Sequence, residues 1–134
     1  MTHSASDRLD ILELLAKADT AASRRNSEAY LALFTDDAIL DGQQGNHEGK
    51  DAIRHSVMPI WQSEGSASTH LTLNAVITPV EGRSDEASAN STLVILTVGQ
   101  NVSIRGVSFI SQHVVKRNNN WLIKRRTVMN LSIN

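Results

Sequence analysis

The spacing of hydrophobic residues changes about halfway along the chain. Up to residue 61, apolar residues recur at intervals of three and four, which is the period of amphipathic helices. From residue 69 onward, Val, Ile, Thr and Leu are enriched in long extended runs. The sequence therefore predicts an α+β fold, in which a helical front half packs on a strand-rich back half.

The first predicted helix begins near Asp7, where Ser6 can accept a hydrogen bond as its N-cap. Residues 1–5 are polar and are expected to be disordered. The residues that recur at helical spacing and should form the buried face are Leu9, Leu12, Leu15, Ala16 and Ala22.

Two further helices are predicted before the strands begin. Residues 27–34 form a short helix that ends at an Asp-Asp turn, and residues 50–61 form a longer one that Pro59 ends or bends. Between them, residues 38–41 form a short strand followed by a glycine-rich reversal. Small polar residues at 63–68 then predict a loop.

The back half predicts an antiparallel meander, because its extended runs are separated by the short turn signals EGRSD, GQN and NNN. Strands of this length must twist and curl, and Gly106 is the expected position of a bulge. The predicted strands cover residues 69–80, 87–98, 102–117 and 121–131.

The second of these strands is apolar on both faces. Leu93 and Ile95 share one face, while Val94, Leu96 and Val98 share the other. A strand of an antiparallel sheet that faces water on one side should alternate between apolar and polar residues. We therefore expect one face to cover the helices and the other to form a homodimer interface.

Composition narrows the class of protein. The chain has 134 residues, of which 40% are hydrophobic and 20% charged, so a single domain over residues 1–134 is expected. Its formal net charge of −1 predicts no general attraction to nucleic acid or acidic membranes. The absence of cysteine excludes disulfides, thiolate nucleophiles and cysteine metal sites. With a polar N-terminus and no membrane-length apolar run, a cytoplasmic location is expected.

Four segments in a fixed order resemble the SnoaL-like branch of the nuclear-transport-factor-2-like superfamily. They are LFTDDAIL, then G…HEGKDAIR, then THLTLNAVI, and last NNWLIKRRTV. The resemblance spans residues 7–129. It implies a cone-shaped, curved antiparallel or mixed sheet wrapped around N-terminal helices, with the element order α-α-β-β-α-β-β-β-β.

This fold hosts unrelated activities, so the resemblance does not by itself give a function. Its members include polyketide cyclases, steroid isomerases, dehydratases, epoxide hydrolases and small subunits of ring-hydroxylating dioxygenases.

His70 is the leading candidate for chemistry. The resemblance to dehydratases implies that a histidine in this strand context is a general acid or base inside the cone. Histidine titrates near neutrality, which suits proton transfer. Thr72 and Asn74 would share its face by the two-residue period of a strand. The alternative is a histidine that only makes a hydrogen bond across the sheet.

The carboxylate that would assist His70 is ambiguous. In the dehydratases an Asp on the first helix does so, but the corresponding positions here are Ser23 and Asn26. Asp19 lies one turn before Ser23 and could replace that Asp, or could be an exposed helix residue. Steroid isomerases place their base at the end of the first strand, where Gly42 stands here, so Asp41 is one residue out of register.

Other side chains could complete a ligand site. Arg126 stands where SnoaL-like proteins often carry an arginine near the pocket and could bind a carboxylate or enolate oxygen, or pair with an acidic residue elsewhere. Tyr30, Trp61 and Phe109 could line a cavity or simply form core.

Two groups of residues are expected at the surface instead. His47, Glu48 and His55 have no metal-ligand spacing and read as surface residues. The basic residues around the last hairpin are also expected at a solvated edge, and they are Lys116, Arg117, Lys124, Arg125 and Arg126.

Two functions are compatible with these residues. The first is a cofactor-independent lyase or isomerase that acts on a small apolar carbonyl compound, with His70 as the acid/base group and Asp19 or Asp41 assisting. Arg126 would stabilise the developing negative charge. The second is a non-catalytic ligand-binding or assembly module on the same fold. No metal and no other cofactor is expected for either.

Overall fold

The computed structural model describes residues 4–42 and 44–131. The elements follow the predicted order, three helices and six strands in the described ranges. They are α1 (Ala5–Ser23), α2 (Ser27–Leu31), β1 (Phe34–Gly42), β2 (Gly45–Glu48), α3 (Lys50–Glu64), β3 (Ser68–Val80), β4 (Arg83–Val98), β5 (Val102–Arg117) and β6 (Asn120–Asn130).

The six strands form one curved sheet in the order β2-β1-β6-β5-β4-β3. Strand β1 runs parallel to β6, and every other pair is antiparallel, so the predicted mixed sheet is confirmed. The sheet does not close, because β2 and β3 remain its two edges. The helices cover its concave face, where α1 packs on β3 and α3 packs on β1 and β2.

Helix α1 begins earlier than the sequence suggests. Ser4 Oγ accepts a hydrogen bond from the backbone N–H of Asp7 at 3.0 Å, so Ser4 rather than Ser6 is the N-cap. Ala5 already belongs to the helix, and residues 1–3 of the segment expected to be disordered lie outside the described part of the chain. Asn26 caps α2 in the same way, through the N–H of Ala29 at 3.1 Å.

The buried face of α1 also differs from the expectation. Leu9 and Leu12 are 65% and 42% exposed, whereas Ile11 is fully buried. The true stripe starts at Ile11 and continues through Leu14, Leu15, Ala18, Ala21 and Ala22. Its later members are alanines, which lets the end of the helix approach the sheet closely.

Strand β1 begins at Phe34, where the sequence predicted the last residue of a helix and an Asp-Asp turn. Phe34 pairs with Ile123 and Ile39 pairs with Arg125, so residues 35–38 bulge out of the ladder. The Thr35 hydroxyl donates to Asp37 Oδ1 at 2.9 Å within this bulge and lowers the pKa of that carboxyl.

Helix α3 continues through Pro59 and ends at Glu64, three residues beyond the predicted end. Proline removes one backbone donor from the helix, and the turns on either side hold the segment helical. The segment read as a loop from residue 63 therefore supplies the last turn of a helix, and this places Glu64 beside β3.

Register shifts interrupt the long strands at several points. Ile95 pairs with Gly106 and Leu96 with Ile104, which leaves Arg105 as the extra residue and confirms the bulge predicted at Gly106. A second irregularity lies in β3, where Asn74 has a φ of 56°. None of the helices in the described ranges is long and apolar enough to span a membrane.

Candidate active site

A cavity of about 420 Å³ lies between the helices and the concave face of the sheet. Its walls are largely apolar, and its size falls in the range of small-molecule sites. Its titratable side chains are Asp19, Tyr30, His47, Glu64, His70, Arg105 and Arg126. This is the arrangement expected where a few polar groups orient a mostly apolar ligand.

His70 and Glu64 form a buried pair in the cavity wall. His70 Nε2 lies 2.7 Å from Glu64 Oε1, and the two side chains are only 7% and 4% exposed. A carboxylate that accepts the Nε2–H bond fixes the imidazole tautomer and leaves Nδ1 as the acceptor. It would also stabilise the imidazolium formed when Nδ1 takes a proton. The cavity thus contains a histidine–carboxylate pair suited to acid/base chemistry.

The end of α3 is held at several points, and these contacts position Glu64. Gly65 follows at φ 80°, a conformation that favours glycine. Its carbonyl accepts hydrogen bonds from Arg25 Nη1 at 2.8 Å and from Ser68 Oγ at 3.0 Å. The turn after helix α1, the end of helix α3 and strand β3 therefore meet at the residue next to Glu64.

Sequence analysis missed Glu64, although a signal was present. Glu64 continues the buried row Ile53, Val57 and Trp61 at helical spacing, and all four are buried. The predicted helix stops at residue 61, because Pro59 is expected to end or bend it and the small polar residues at 63–68 predict a loop. A carboxylate that extends an apolar helical row is therefore the feature that could have identified this residue.

Ser23 supports His70 through the backbone. Its hydroxyl accepts a hydrogen bond from the backbone N–H of His70 at 2.8 Å and lies 3.4 Å from Thr69 Oγ1. Ser23 was predicted as a ligand-binding residue, but the structure places its side chain against β3 and not among the residues that line the cavity. In this position it fixes the strand that carries His70.

Asp19 lines the cavity, as predicted, but does not pair with His70. Its Oδ2 accepts a hydrogen bond from the backbone N–H of Thr72 at 2.8 Å. The interpretation of Asp19 as an exposed helix residue is also incorrect, since the residue is half-buried. Thr72 contributes its backbone here, and its side chain is not part of the cavity lining.

Tyr30 and Trp61 line the cavity and also belong to the hydrophobic core. Their rings meet edge to face with centroids 4.9 Å apart, and Phe34 packs on the other side of Tyr30. Burial raises the pKa of the Tyr30 hydroxyl. The positive charge of Arg126 lowers this pKa in part, whereas the negative charge of Asp19 raises it further. Tyr30 therefore stays a neutral donor beside two charged groups.

Arg126 is 7% exposed and lines the cavity. Its Nη1 donates to Gln112 Oε1 at 3.3 Å, and no carboxylate in the described ranges lies within 4.0 Å of its guanidinium. The expectation that Arg126 shares a solvated edge with its neighbours is wrong, because strand alternation turns it inward while Arg125 faces out. A buried guanidinium without an ion pair is well suited to bind an oxygen anion.

Besides Ser23 and Thr72, three predicted site residues lie away from the cavity. Asp41 accepts hydrogen bonds from Arg125 Nε at 2.7 Å and Thr127 Oγ1 at 3.2 Å on the outer face, as its one-residue offset implies. Asn74 and Phe109 line a shallow depression, also on the outer face, and Phe109 is 52% exposed. The bulge in β3 breaks the two-residue alternation between His70 and Asn74, so these two residues do not share a face.

His47 is the opposite case, since a residue expected at the surface lines the cavity. It lies on the short edge strand β2 and faces the same side as the buried Leu40, with which it pairs. Among residues 4–42 and 44–131, no group of three or more acidic, histidine or cysteine side chains could hold a metal ion.

Solved structures show the same architecture. A protein of unknown function from Nostoc punctiforme, with a cystatin-like fold, is 28% identical, with a TM-score of 0.87 over 98% of this chain and 96% of its own. A candidate scytalone dehydratase from Novosphingobium aromaticivorans is 18% identical, with a TM-score of 0.81 over 95% and 85%. ActVI-ORFA from Streptomyces coelicolor is 13% identical, with a TM-score of 0.85 over 98% and 99%.

None of the curated proteins matches this chain. The family model of the SnoaL-like domain, in contrast, matches residues 3–127. This span contains every residue of the cavity up to Arg126. The chain belongs to the SnoaL-like domain family.

Proposed function

We propose that this protein is a cofactor-independent lyase or isomerase that acts on a small, mostly apolar carbonyl compound. The observation that carries the proposal is the buried His70–Glu64 pair, at 2.7 Å, in the wall of an apolar cavity. The same cavity contains Arg126, which bonds to Gln112 and has no ion-pair partner among the described residues. Proton abstraction from a carbonyl compound requires three parts. They are a base, a group that orients the base and a cation that stabilises the developing negative charge.

In this mechanism His70 Nδ1 accepts a proton from a carbon that is next to the carbonyl group or conjugated with it. The electron pair of the broken C–H bond moves toward the carbonyl oxygen, which gains negative charge that Arg126 stabilises. Glu64 holds Nε2–H and stabilises the imidazolium. An isomerase then returns the proton to a different carbon, and a lyase uses the electron pair to expel a leaving group from the neighbouring carbon.

The apolar walls support this chemistry. Trp61, Leu93 and Val57 surround the reacting groups with carbon, which limits access of water and strengthens electrostatic interactions inside. The fold relative described as a candidate scytalone dehydratase adds support for a lyase, although its similarity to this chain concerns the fold.

The test is exchange of carbon-bound hydrogen in deuterium oxide, followed by NMR for a panel of cyclic ketones and enones. Wild-type protein should catalyse exchange, at a carbon next to the carbonyl or conjugated with it, in at least one compound. His70→Ala and Glu64→Gln should each lower the rate, by about 10²–10⁴-fold for a lost acid/base group.

His113 and Glu86 offer a matched control. They form a second histidine–carboxylate pair, 3.7 Å apart and distant from the cavity lining. His113→Ala and Glu86→Gln should therefore leave exchange unchanged. Equal rates for wild type and folded His70→Ala would contradict the proposal.

A second candidate is a non-catalytic ligand-binding module. This candidate is favoured because Ser23 and Asn26 stand at the two positions where dehydratases carry carboxylates. Ser23 binds the backbone of His70, and Asn26 caps α2. The two functions separate cleanly, because a binding module would be stabilised by panel compounds in thermal unfolding without catalysing exchange.

A further inference from the structure

His47 has a feature that the mechanism above does not use. Its Nε2 is buried and has no hydrogen-bond partner in the described part of the chain. Leaving a buried polar nitrogen unpaired costs stability, so such atoms usually serve a ligand or a bound water. Since His47 lines the cavity, the group that would pair with Nε2 lies on the cavity side.

The sheet places His47 in register with Arg126. Leu40 on β1 pairs with His47 on one side and with Arg126 on the other, and Arg126 pairs in turn with Gln112. Residues that pair directly across strands project from the same face, and the two backbones lie two strand spacings apart, about 10 Å. Both side chains therefore approach one end of the cavity.

The charges around the cavity leave this end without an acidic partner. Glu64 is engaged by His70 and Asp19 by the N–H of Thr72, and neither lies within 4.0 Å of Arg126. Arg105, at the rim, donates to the carbonyl of Ser63. The cation of Arg126 and the free nitrogen of His47 thus both line the cavity without an acidic partner among the described residues.

We propose that His47 and Arg126 together bind a ligand oxygen that carries or acquires negative charge. Building on the proposed function, this oxygen is the carbonyl oxygen onto which the electron pair moves when His70 accepts the proton. His47 Nε2–H and the guanidinium of Arg126 each donate a hydrogen bond to this oxygen. The imidazole of His47 keeps its proton throughout and is therefore unchanged after the reaction.

The placement also defines the ligand. His70 lies on edge strand β3 and His47 on edge strand β2, at opposite edges of the sheet. A ligand that reaches both groups carries its oxygen away from the acidic C–H bond. A conjugated carbonyl compound meets this requirement, because conjugation transmits charge from the carbon that loses a proton to a distant oxygen.

The probe for this site is 4-nitrophenol, whose phenolate form has a visible absorbance and needs no turnover. At a pH near the pKa of the free probe, wild-type protein should bind the phenolate in preference to the phenol. His47→Asn should weaken phenolate binding about 10- to 100-fold, as expected for a lost hydrogen bond to a charged oxygen. His47→Gln should retain most of the affinity, because its amide reaches the position of Nε2 while that of Asn does not.

His55→Asn is the matched control, since His55 is an exposed histidine on α3 whose Nδ1 contacts the carbonyl of Asp51. It should bind the phenolate as wild type does. Equal affinity in wild type and His47→Asn, or equal losses in the Asn and Gln variants, would overturn the proposal. Loss of exchange in His70→Ala with normal phenolate binding in the His47 variants would remove the oxygen site and leave the proposed function intact. Phenolate binding that depends on His47, in a protein that catalyses no exchange, would keep the oxygen site and contradict the proposed function.

Discussion

The hydroxyl of Ser23 accepts a hydrogen bond from the backbone N–H of His70 at 2.8 Å, which ties the end of α1 to the strand that carries the candidate base. At this position the fold uses a side chain to hold backbone rather than to perform chemistry. The relationship makes Ser23 a positioning residue for the His70–Glu64 pair.

Ser23→Ala should leave the His70 N–H without its partner in a buried place and lower the free energy of unfolding by about 1–3 kcal/mol. Chemical denaturation measures this change. Ser6→Ala, on the exposed side of the same helix, serves as control and should alter stability by less than about 0.5 kcal/mol. If both variants unfold at the same denaturant concentration, the contact contributes nothing.

Gly65→Ala should reduce both stability and exchange activity. Gly65 has a φ of 80°, so a Cβ would strain the turn that follows Glu64 and move its carboxylate away from His70. Gly82, at φ 76° in the β3–β4 turn, is the matched control. Gly82→Ala should be destabilised to a similar extent, of about 1 kcal/mol or more, and keep the wild-type rate of hydrogen exchange beside the carbonyl. A full rate in Gly65→Ala would show that Glu64 does not depend on this turn.

Asp7 should give the stability of the protein an acid-sensitive component. Lys116 Nζ at 3.0 Å and Trp121 Nε1 at 3.1 Å hold the pKa of the Asp7 carboxyl below its ordinary value of 3.8. Because the pKa of Asp7 is lower in the folded state, the ionised carboxyl stabilises the fold above pH 3.8. This stabilisation is lost as the pH falls through the pKa of the folded state.

Asp7→Asn should therefore lower the free energy of unfolding by about 1–2 kcal/mol at neutral pH, and the difference from wild type should shrink below pH 3.8. Asp10→Asn, an exposed carboxylate of the same helix, should show no such pH-dependent difference. A gap between wild type and Asp7→Asn that stays constant down to strongly acidic pH would rule out the linkage.

The outer face of the sheet, on which we predict a homodimer interface, carries exposed apolar residues. Leu71, Leu73, Val76, Phe109 and Met129 are 39–62% exposed there. Because a second copy carries the same apolar face, a twofold pair would cover both at once. We expect sedimentation to show a dimer at micromolar concentration.

Phe109→Glu should convert this dimer into a folded monomer. Leu9→Glu is the control, since Leu9 is 65% exposed on α1, away from the outer face of the sheet, and this variant should remain dimeric. A wild-type monomer at micromolar concentration would contradict the expectation, and so would a Phe109→Glu dimer as tight as wild type.

The parts of this molecule that sequence predicts well are those fixed by local periodicity and turn chemistry. The order of helices and strands and the bulge at Gly106 follow from such patterns. His70 was found through a family resemblance, and its position in the cavity follows from strand alternation. The carboxylate beside it was missed, because whether Pro59 ends a helix depends on tertiary packing that a local rule does not contain.

His47 was missed and Asn74 was placed on the wrong face for a related reason. His47 pairs with Leu40, and the pairing of β1 with β6 brings Arg126 to the other side of Leu40 on the same face of the sheet. Asn74 was assigned to the wrong face because a bulge changes the alternation downstream of it. In each case the decisive information lies in the long-range register of the sheet rather than in neighbouring residues.

The parallel pairing of β1 with β6 has a consequence for how the molecule is made. These strands are joined through residues as far apart in sequence as Phe34 and Ile123, and they lie in the interior of the sheet. Such non-local contacts raise the contact order of a fold and slow its formation, since loop-closure entropy must be overcome before the contacts form. During synthesis, the short hairpin of β1 and β2 therefore leaves the ribosome long before its partner strand. Until β6 emerges, the apolar side chains of β1 depend on the helices for cover, and the cavity has neither its central wall nor Arg126.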